Sequence, residues 1–458
     1  MRGRIRSKME RTDTIAAFAT PAHAAGMGVI RISGPESLAI LQSIAPSISS
    51  EPESRKLHYV ALVDPRSDET IDRGLIAWMP GPRTYTGEHV VELHCHGGSR
   101  NMGRVLRAAL AAGARVAEPG EFTRRAFLNG KMDLAQAEAV LDVVDARTEA
   151  GLEAAHAQLG GQLSAVIDGF RSEIITTIAH LEVNIDFVEE DVPQFAADAL
   201  ASAMDTTRLE IEALAATWNQ GKLTREGIRV AIAGRPNAGK SSLFNALLQD
   251  SRAIVTPIAG TTRDYLEEEA DLEGVPVVLV DTAGLRETTD LIESEGVARS
   301  HDRISAAELV LWLHDGTEEA FVDPERSEMP DPSCIDIRSK SDLPADASWE
   351  RFPYETLPVS STTGEGISEL IATITQRAGL NRDPGAHDII VTRERHLNAL
   401  EDAAESLQTA ATAIRDKMPW EIVAGELQLA LEAVGRIVGH STIEDVLDQI
   451  FREFCIGK

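Results

Sequence analysis

The stretch GRPNAGKS, Gly234 to Ser241, carries the most specific chemical spacing in the chain. It has the form G-x-x-x-x-G-K-S, follows an apolar run and opens a helical pattern, the context in which this spacing binds phosphate. The glycines let backbone N–H groups approach phosphate oxygens, Lys240 neutralises β/γ-phosphate charge, and Ser241 offers a hard oxygen to Mg²⁺. Asn237, Ala238, Gly239 and Ser242 complete the loop. The Asn237 amide oxygen suits either an ordinary turn or a monovalent cation beside the phosphates, where positive charge favours a phosphoryl transition state.

Four further motifs follow in order. GTTRD (260–264) supplies Thr262 as a second hydroxyl for Mg²⁺, and VVLVDTAG (277–284) ends an apolar strand with Asp281, Thr282, Ala283 and Gly284, where a γ-phosphate is sensed. SKSD (339–342) supplies Ser339, Lys340, Ser341 and Asp342, whose carboxylate can accept two N–H groups of guanine. VSSTTGEG (359–366) adds Ser360, Ser361 and Thr362 as a last base-contacting loop. The ordered set predicts a GTP hydrolase. Two positions depart from the common pattern: Ser339 stands where an Asn is usual, and Leu285 stands where Ras-like switches carry a water-orienting Gln. Glu293, just beyond that switch, fits a water-positioning role or an ordinary solvated helix carboxylate.

The elements that must position these residues are legible from periodicity. Residues 13–125 alternate strands (28–34, 58–63, 74–79, 89–98) with helical stretches (36–45, 99–113), an α+β pattern. Leu163, Val166, Phe170, Ile174, Ile178 and Leu181 mark a long amphipathic helix, and Leu397, Leu400, Ala404, Leu407, Ala411 and Ile414 mark another. Between about 226 and 380 strands and helices alternate as in a parallel doubly wound sheet. The expected fold is therefore multidomain α/β. Residues 1–130 form an α+β domain, 131–225 and 381–458 form two parts of one helical domain, and 226–380 form an inserted Ras-like GTPase domain. The terminal STIEDVLDQIFREF predicts a packed helix that delivers Cys455 in FCIGK. Gly457 and Lys458 exclude a prenylation box there, which leaves a small buried residue or a reactive thiol.

Composition sets the outer bounds. A chain of 458 residues with 44 Lys and Arg against 73 Asp and Glu has a net charge of −29, which repels phosphate backbones at long range. RNA, if a partner, is held by a local patch or by another subunit. Three scattered cysteines indicate a reducing, cytoplasmic setting, and no apolar run approaches the roughly 20 residues that span a bilayer. The basic start lacks the apolar core of a signal peptide, and Met9 offers a second initiator, so residues 1–8 read as an extension.

Beyond the phosphate loop, DTIAAFATP, GVIRISG, TYTGEHVVELHCHGG, PGEFTRRAFLNGKMDLAQAEAV and the terminal FCIGK closely resemble the MnmE (TrmE) family of tRNA-modification GTPases over residues 12–458. The resemblance implies a folate-binding N-terminal domain that also dimerises, a split helical domain and an inserted G domain. It implies a homodimer that joins a flavin-dependent partner of the MnmG (GidA) type in a heterotetramer. Together they would add an aminomethyl or carboxymethylaminomethyl group to C5 of the wobble uridine of certain tRNAs, using 5-formyl- or methylene-tetrahydrofolate. It further implies K⁺ ligands at Asn237, Thr256, Ile258 and Thr261, Mg²⁺ ligands at Ser241 and Thr262, and nucleotide contacts at Pro257, Ala259 and Gly260. Glu293 becomes the catalytic carboxylate, and Arg31, Glu92, Lys131 and Lys458 become folate contacts. Cys455 becomes a candidate for the tRNA chemistry. His94 and His96 read as structural or folate-site residues in preference to a metal pair without a third ligand. AHAAGMG before GVIRISG departs from the family's Gly- and Arg-rich turn. The alternative is a ribosome-assembly or signalling switch GTPase, which would usually append a basic RNA-binding domain.

Overall fold

The computed structural model describes residues 13–50, 52–186, 197–250, 252–253, 267–281, 307–328, 334–378, 389–440 and 444–457. The chain divides into two compact units, one of residues up to Leu141 together with those from Val438 onward, the other Asp142–Ile437. Residues from Val438 on, which periodicity assigns to the second helical part, thus group with the N-terminal unit. Among the described residues no helix is long and apolar enough to cross a membrane.

In the first unit six described strands form one sheet: β1 (Ile15–Phe18), β2 (Gly28–Ser33), β3 (Leu57–Val63), β4 (Thr70–Met79), β5 (Val90–Cys95) and β6 (Arg115–Val116). Their order is β3-β4-β5-β2-β1-β6, antiparallel except where β1 meets β6. Alternating residues of β2 and β5 bury Ile30, Ile32, Val91 and Leu93 against Ile40 and Leu41 of the Ser37–Ile44 helix and Met102 and Val105 of the Ser99–Ala111 helix. On another side Ile15 and Ala17 pack with Phe122 from the Glu121–Leu128 helix.

The end of the chain belongs to this unit. Leu447, Ile450, Phe451 and Phe454, on and just after the Glu444–Arg452 helix, form a core cluster with Leu134, Ala137 and Leu141. Ile456 then makes an antiparallel bridge to Pro119, and Gly120 N–H donates to the Cys455 carbonyl at 3.5 Å. Gly457 has φ 109°, and a Cβ there would lie 1.9 Å from the Phe18 carbonyl oxygen, so only glycine fits the docked tail.

In the second unit the Gln162–Asp186 helix buries Leu163, Ile167, Phe170, Ile174, Ile178 and Leu181, with Ile167 taking the place that periodicity gave to the half-buried Val166. The Ala197–Ala215 helix packs along the Glu394–Arg415 helix. Helices from before and after the α/β segment therefore form one helical body, into which that segment is inserted. The inserted sheet contains β7 (Ile228–Gly234), β8 (Arg252–Ala253), β9 (Glu267–Leu272), β10 (Val275–Asp281), β11 (Leu309–Asp315), β12 (Cys334–Ser339) and β13 (Thr356–Pro358). Its order is β13-β12-β11-β7-β10-β9-β8.

The strands from β13 to β10 run parallel, but β9 and β8 are antiparallel, so the sheet is mixed and not wholly parallel as expected. The cause is local. Glu273 and Gly274, with φ 53° and 92°, make a two-residue turn between β9 and β10, which leaves no room for a crossover helix.

Both chain crossings into the inserted segment meet at one carboxylate. Asp142 accepts from Arg225 Nε at 3.1 Å and Arg393 Nη2 at 2.7 Å, residues that flank the entry and the exit. Val391 N–H donates to Thr217 Oγ1 at 2.9 Å, which laces the exit segment to the start of the entry helix.

Candidate nucleotide site and N-terminal polar site

At the end of β7, Gly234, Asn237 and Gly239 have φ of 131°, 65° and 93°, and this run of left-handed residues folds the phosphate loop back over the start of the Lys240–Asp250 helix. At Gly234 a Cβ would sit 2.3 Å from the Leu313 carbonyl oxygen, so the glycine is required by the adjacent strand. Asn237 is a side-chain type that tolerates this region. Lys240 is buried, and its ammonium donates to the carbonyls of Gly234 at 2.8 Å and Arg235 at 2.7 Å. Ser241 and Ser242, exposed, occupy the helix's first turn. Asp281 ends β10 in register with Ile232 of β7, beside the strand that feeds the loop.

The segments expected from sequence to contact the base converge on the same edge. Ser339 ends β12 opposite Asp315 of β11, and its hydroxyl lies 2.7 Å from the Ala238 carbonyl oxygen and 3.0 Å from that of His314. Lys340, at φ 57°, turns its ammonium onto Asp315 at 2.5 Å. Burial alone would raise the Asp315 carboxyl, but hydrogen bonds from Lys340 and Thr317 outweigh it and hold the group below its ordinary value. Asp342 is exposed, and one of its oxygens accepts from the fully buried Ser360 hydroxyl at 2.6 Å. Ser360 Oγ in turn accepts from the N–H groups of Thr362 and Thr363 at 3.3 and 3.2 Å. Ser341 N–H donates to the Val359 carbonyl, and Ser361 neighbours this turn. The structure thus brings together residues 237–242, Asp281, 339–342 and 360–362. Thr256, Pro257, Ile258, Ala259, Gly260, Thr261, Thr262, Thr282, Ala283, Gly284, Leu285 and Glu293 lie outside the described residues.

A second polar site lies in the N-terminal unit. Arg31 and Glu92 are cross-strand partners on β2 and β5, and Arg31 donates to Glu92 Oε1 from Nε at 3.0 Å and Nη2 at 2.9 Å. The guanidinium also lies 5.8 Å from the Tyr85 ring centre and 6.0 Å from that of Phe122, a pair of aromatic neighbours that the sequence did not reveal. Lys131 Nζ donates to the Pro82 carbonyl at 3.2 Å, while Lys458 lies outside the described residues. His94 and His96 part company: His94 Nε2 lies 3.5 Å from Glu92 Oε2, and His96, beyond the end of β5, bonds Asp72 through its ring at 2.8 Å. Cys455 is exposed, which removes the reading of a small buried residue, whereas Cys95 and Cys334 are buried.

Sequence reasoning also missed a partly buried ion cluster next to the docked tail. Glu121 accepts from Arg115 at 2.8 and 2.5 Å and from Arg125 at 3.0 Å, and Arg125 further donates to Asp13 and Glu88. Burial would raise Glu121, yet hydrogen bonds from Arg115, the Glu118 N–H and Arg125 prevail and lower it. The only signal in the sequence was the Glu121–Arg125 spacing of four on one helix.

Comparison with known proteins agrees over nearly the whole chain. A family model described as the GTP-binding protein TrmE N-terminus matches residues 14–131, and one described as the MnmE helical domain matches residues 134–455. Proteins named tRNA modification GTPase MnmE are similar over 97% of this chain. The one from Syntrophus aciditrophicus is 42% identical, with 99% of its own length covered. That from Bacillus subtilis is 40% identical with 100% covered, and that from Alkaliphilus oremlandii 39% with 99% covered. With both family models matched and relatives about 40% identical over 97% of the chain, this protein belongs to the MnmE family of tRNA modification GTPases.

Proposed function

We propose that this GTPase is K⁺-dependent and that its cycle serves one-carbon chemistry on the wobble uridine of certain tRNAs, carried out with a flavin-dependent partner protein. Its GTPase role in tRNA modification follows from the family; the finer reading rests on residues. The observation that carries it is the phosphate loop, where the buried Lys240 ammonium is held on the Gly234 and Arg235 carbonyls and Ser339 reaches Ala238 from the base side. Such a loop is built to wrap a nucleotide's phosphates while its base is read next door.

Ser241, exposed at the head of the helix, and Thr262 would hold Mg²⁺. Asn237, Thr256, Ile258 and Thr261 would hold K⁺, and the left-handed Asn237 has the donor oxygen such an ion needs. A cation there supplies positive charge where phosphoryl transfer develops negative charge. Leu285 has no group to orient water, so Glu293 is assigned that task. In the N-terminal unit Glu92 is oriented by Arg31 through one oxygen only, which suits a carboxylate meant to accept from a pterin's amino edge. Tyr85, partly exposed beside Arg31, adds apolar surface for a flat ring, and Lys131 and Lys458 would take the tail of a tetrahydrofolate. The reading includes a homodimer, its flavin partner in a heterotetramer, and a cytoplasmic setting.

The test is single-turnover GTP hydrolysis by the full chain in matched KCl and NaCl. Loss of one charge-assisted interaction corresponds to about a tenfold fall or more in Na⁺. Glu293→Ala is expected to lose hydrolysis and keep nucleotide affinity. Equal rates in the two salts, or unchanged turnover in the variant, would remove the corresponding assignment.

A further inference from the structure

We infer that Ser339 is a positioning residue that stitches the base-reading loop to the phosphate loop, and that it leaves the purine N7 without a protein donor, so that guanine is selected from the edge Asp342 faces. The inference rests on the GTPase reading above and deepens it.

The argument is one of proton count and reach. Ser339 is only 6% exposed, and its hydroxyl has a single proton to give. Two carbonyl oxygens compete for that proton, Ala238 at 2.7 Å and His314 at 3.0 Å. Both belong to the protein interior around the loop, and Ala238 itself is 2% exposed. The bond to Ala238 joins residues 101 positions apart in sequence and fixes the phosphate loop against the end of β12. An asparagine at this place would have two amide protons on a longer arm, one for the loop carbonyl and one for a base nitrogen. Serine has neither the second proton nor the length.

Its neighbours do not replace that donor. The Lys340 ammonium is drawn to Asp315 at 2.5 Å, with the backbone in the left-handed region to get there. The Ser341 hydroxyl is shut away from solvent. Asp342, by contrast, is exposed and pre-oriented by Ser360 at 2.6 Å, a charged acceptor aimed outward for N–H groups. Base recognition is therefore asymmetric: strong where guanine donates, silent where N7 would accept.

Competition binding on the full chain, with a fluorescent GDP displaced by GDP, 7-deaza-GDP or IDP, tests this directly. GDP and 7-deaza-GDP, in which N7 is a C–H, are expected within about twofold of each other, and IDP, which lacks the 2-amino group, about tenfold weaker or more. Ser339→Asn should create a preference for GDP over 7-deaza-GDP of about fivefold. Ser339→Ala should weaken both nucleotides equally, and Ser339→Thr, which keeps the hydroxyl, should restore them. A wild-type preference for GDP over 7-deaza-GDP of about fivefold or more overturns the inference, as does a Ser339→Ala protein that binds GDP as tightly as wild type. If Ser339→Ala fails to fold, the wild-type ratio and the Asn variant still decide. Displacement by ADP as effective as by GDP would instead reject the GTPase reading itself, an outcome independent of the 7-deaza ratio.

Discussion

At the scale of single residues, the three thiols of the chain show how environment sets reactivity. Cys95 is buried on β5, and burial, reinforced by the nearby Asp72 charge, pushes its thiol up to about 11. Thiolate, not thiol, is the nucleophile, so Cys95 is protected twice, by access and by protonation. Cys334 is buried at the start of β12, while Cys455 stands exposed on a tail pinned by the Ile456 bridge to Pro119. Brief treatment of the native protein with iodoacetamide at pH 8 should therefore add one label, on Cys455, and three after denaturation, as read by intact mass and peptide mapping. Rapid native labelling of Cys95 would show that β5 opens far more readily than its core position implies. The sequence could raise the question of Cys455 but not answer it, because exposure depends on where a helix that ends at Arg452 leaves the next residues. Ser339 was likewise visible only as a departure from a motif. Its purpose needs the Ala238 carbonyl, which folding brings to it from a distant segment.

Between elements, β11 and β12 of the inserted domain are tied by a buried set of polar groups. Asp336 on β12 accepts from His314 Nε2 on β11 at 2.9 Å and from Arg326 Nη2 at 2.6 Å, with Tyr354 stacked 4.2 Å from the Arg326 guanidinium. Burial alone would raise the Asp336 carboxyl, but the hydrogen bonds from His314 and Arg326 prevail and hold it below its ordinary value of 3.8. A carboxyl whose folded pKa is depressed stabilises fully above the unfolded value and loses that contribution as pH falls through the folded value. Asp336→Leu leaves Arg326 buried without its carboxylate, a change that costs about 3–5 kcal/mol. The expected result is a large drop in urea midpoint at pH 7 that begins to narrow below about pH 4, where the unfolded wild-type chain takes up a proton that the folded carboxylate still excludes. A gap that is constant down to pH 3 would assign the loss to packing alone. This cluster, like the Asp142 clamp on Arg225 and Arg393, was not legible in the sequence, since each member is an unremarkable charged residue until folding aligns it. What was legible followed local periodicity: the strands 28–33 and 90–95, the long helices, and the phosphate loop between strand and helix. Four-residue β1 carried too little pattern to be found, and the antiparallel β9–β10 hairpin was hidden because only its Glu-Gly turn distinguishes it from a crossover.

For the whole molecule, the difficulty is charge. A chain with 73 acidic and 44 basic residues carries −29, yet its family acts on tRNA, itself a dense polyanion. Long-range electrostatics oppose that encounter, so affinity must come from a few close contacts or from a basic partner. The number of phosphates neutralised is measurable, because each releases condensed counterions and steepens the fall of log K with log salt by about 0.7 to 0.9. Titration of the isolated full chain with a cognate tRNA between low and moderate KCl should give a shallow slope, of magnitude below about 3. A protein with a continuous basic face would give a slope of about 6 or steeper, and that result here would show that local charge clusters override the net value. Addition of the proposed flavin-dependent partner should then steepen the slope and tighten binding together. If the partner tightens binding while the slope stays shallow, its contribution is base or shape contact and not phosphate neutralisation, and the acidic surface of this chain serves to keep tRNA away from every site but that one.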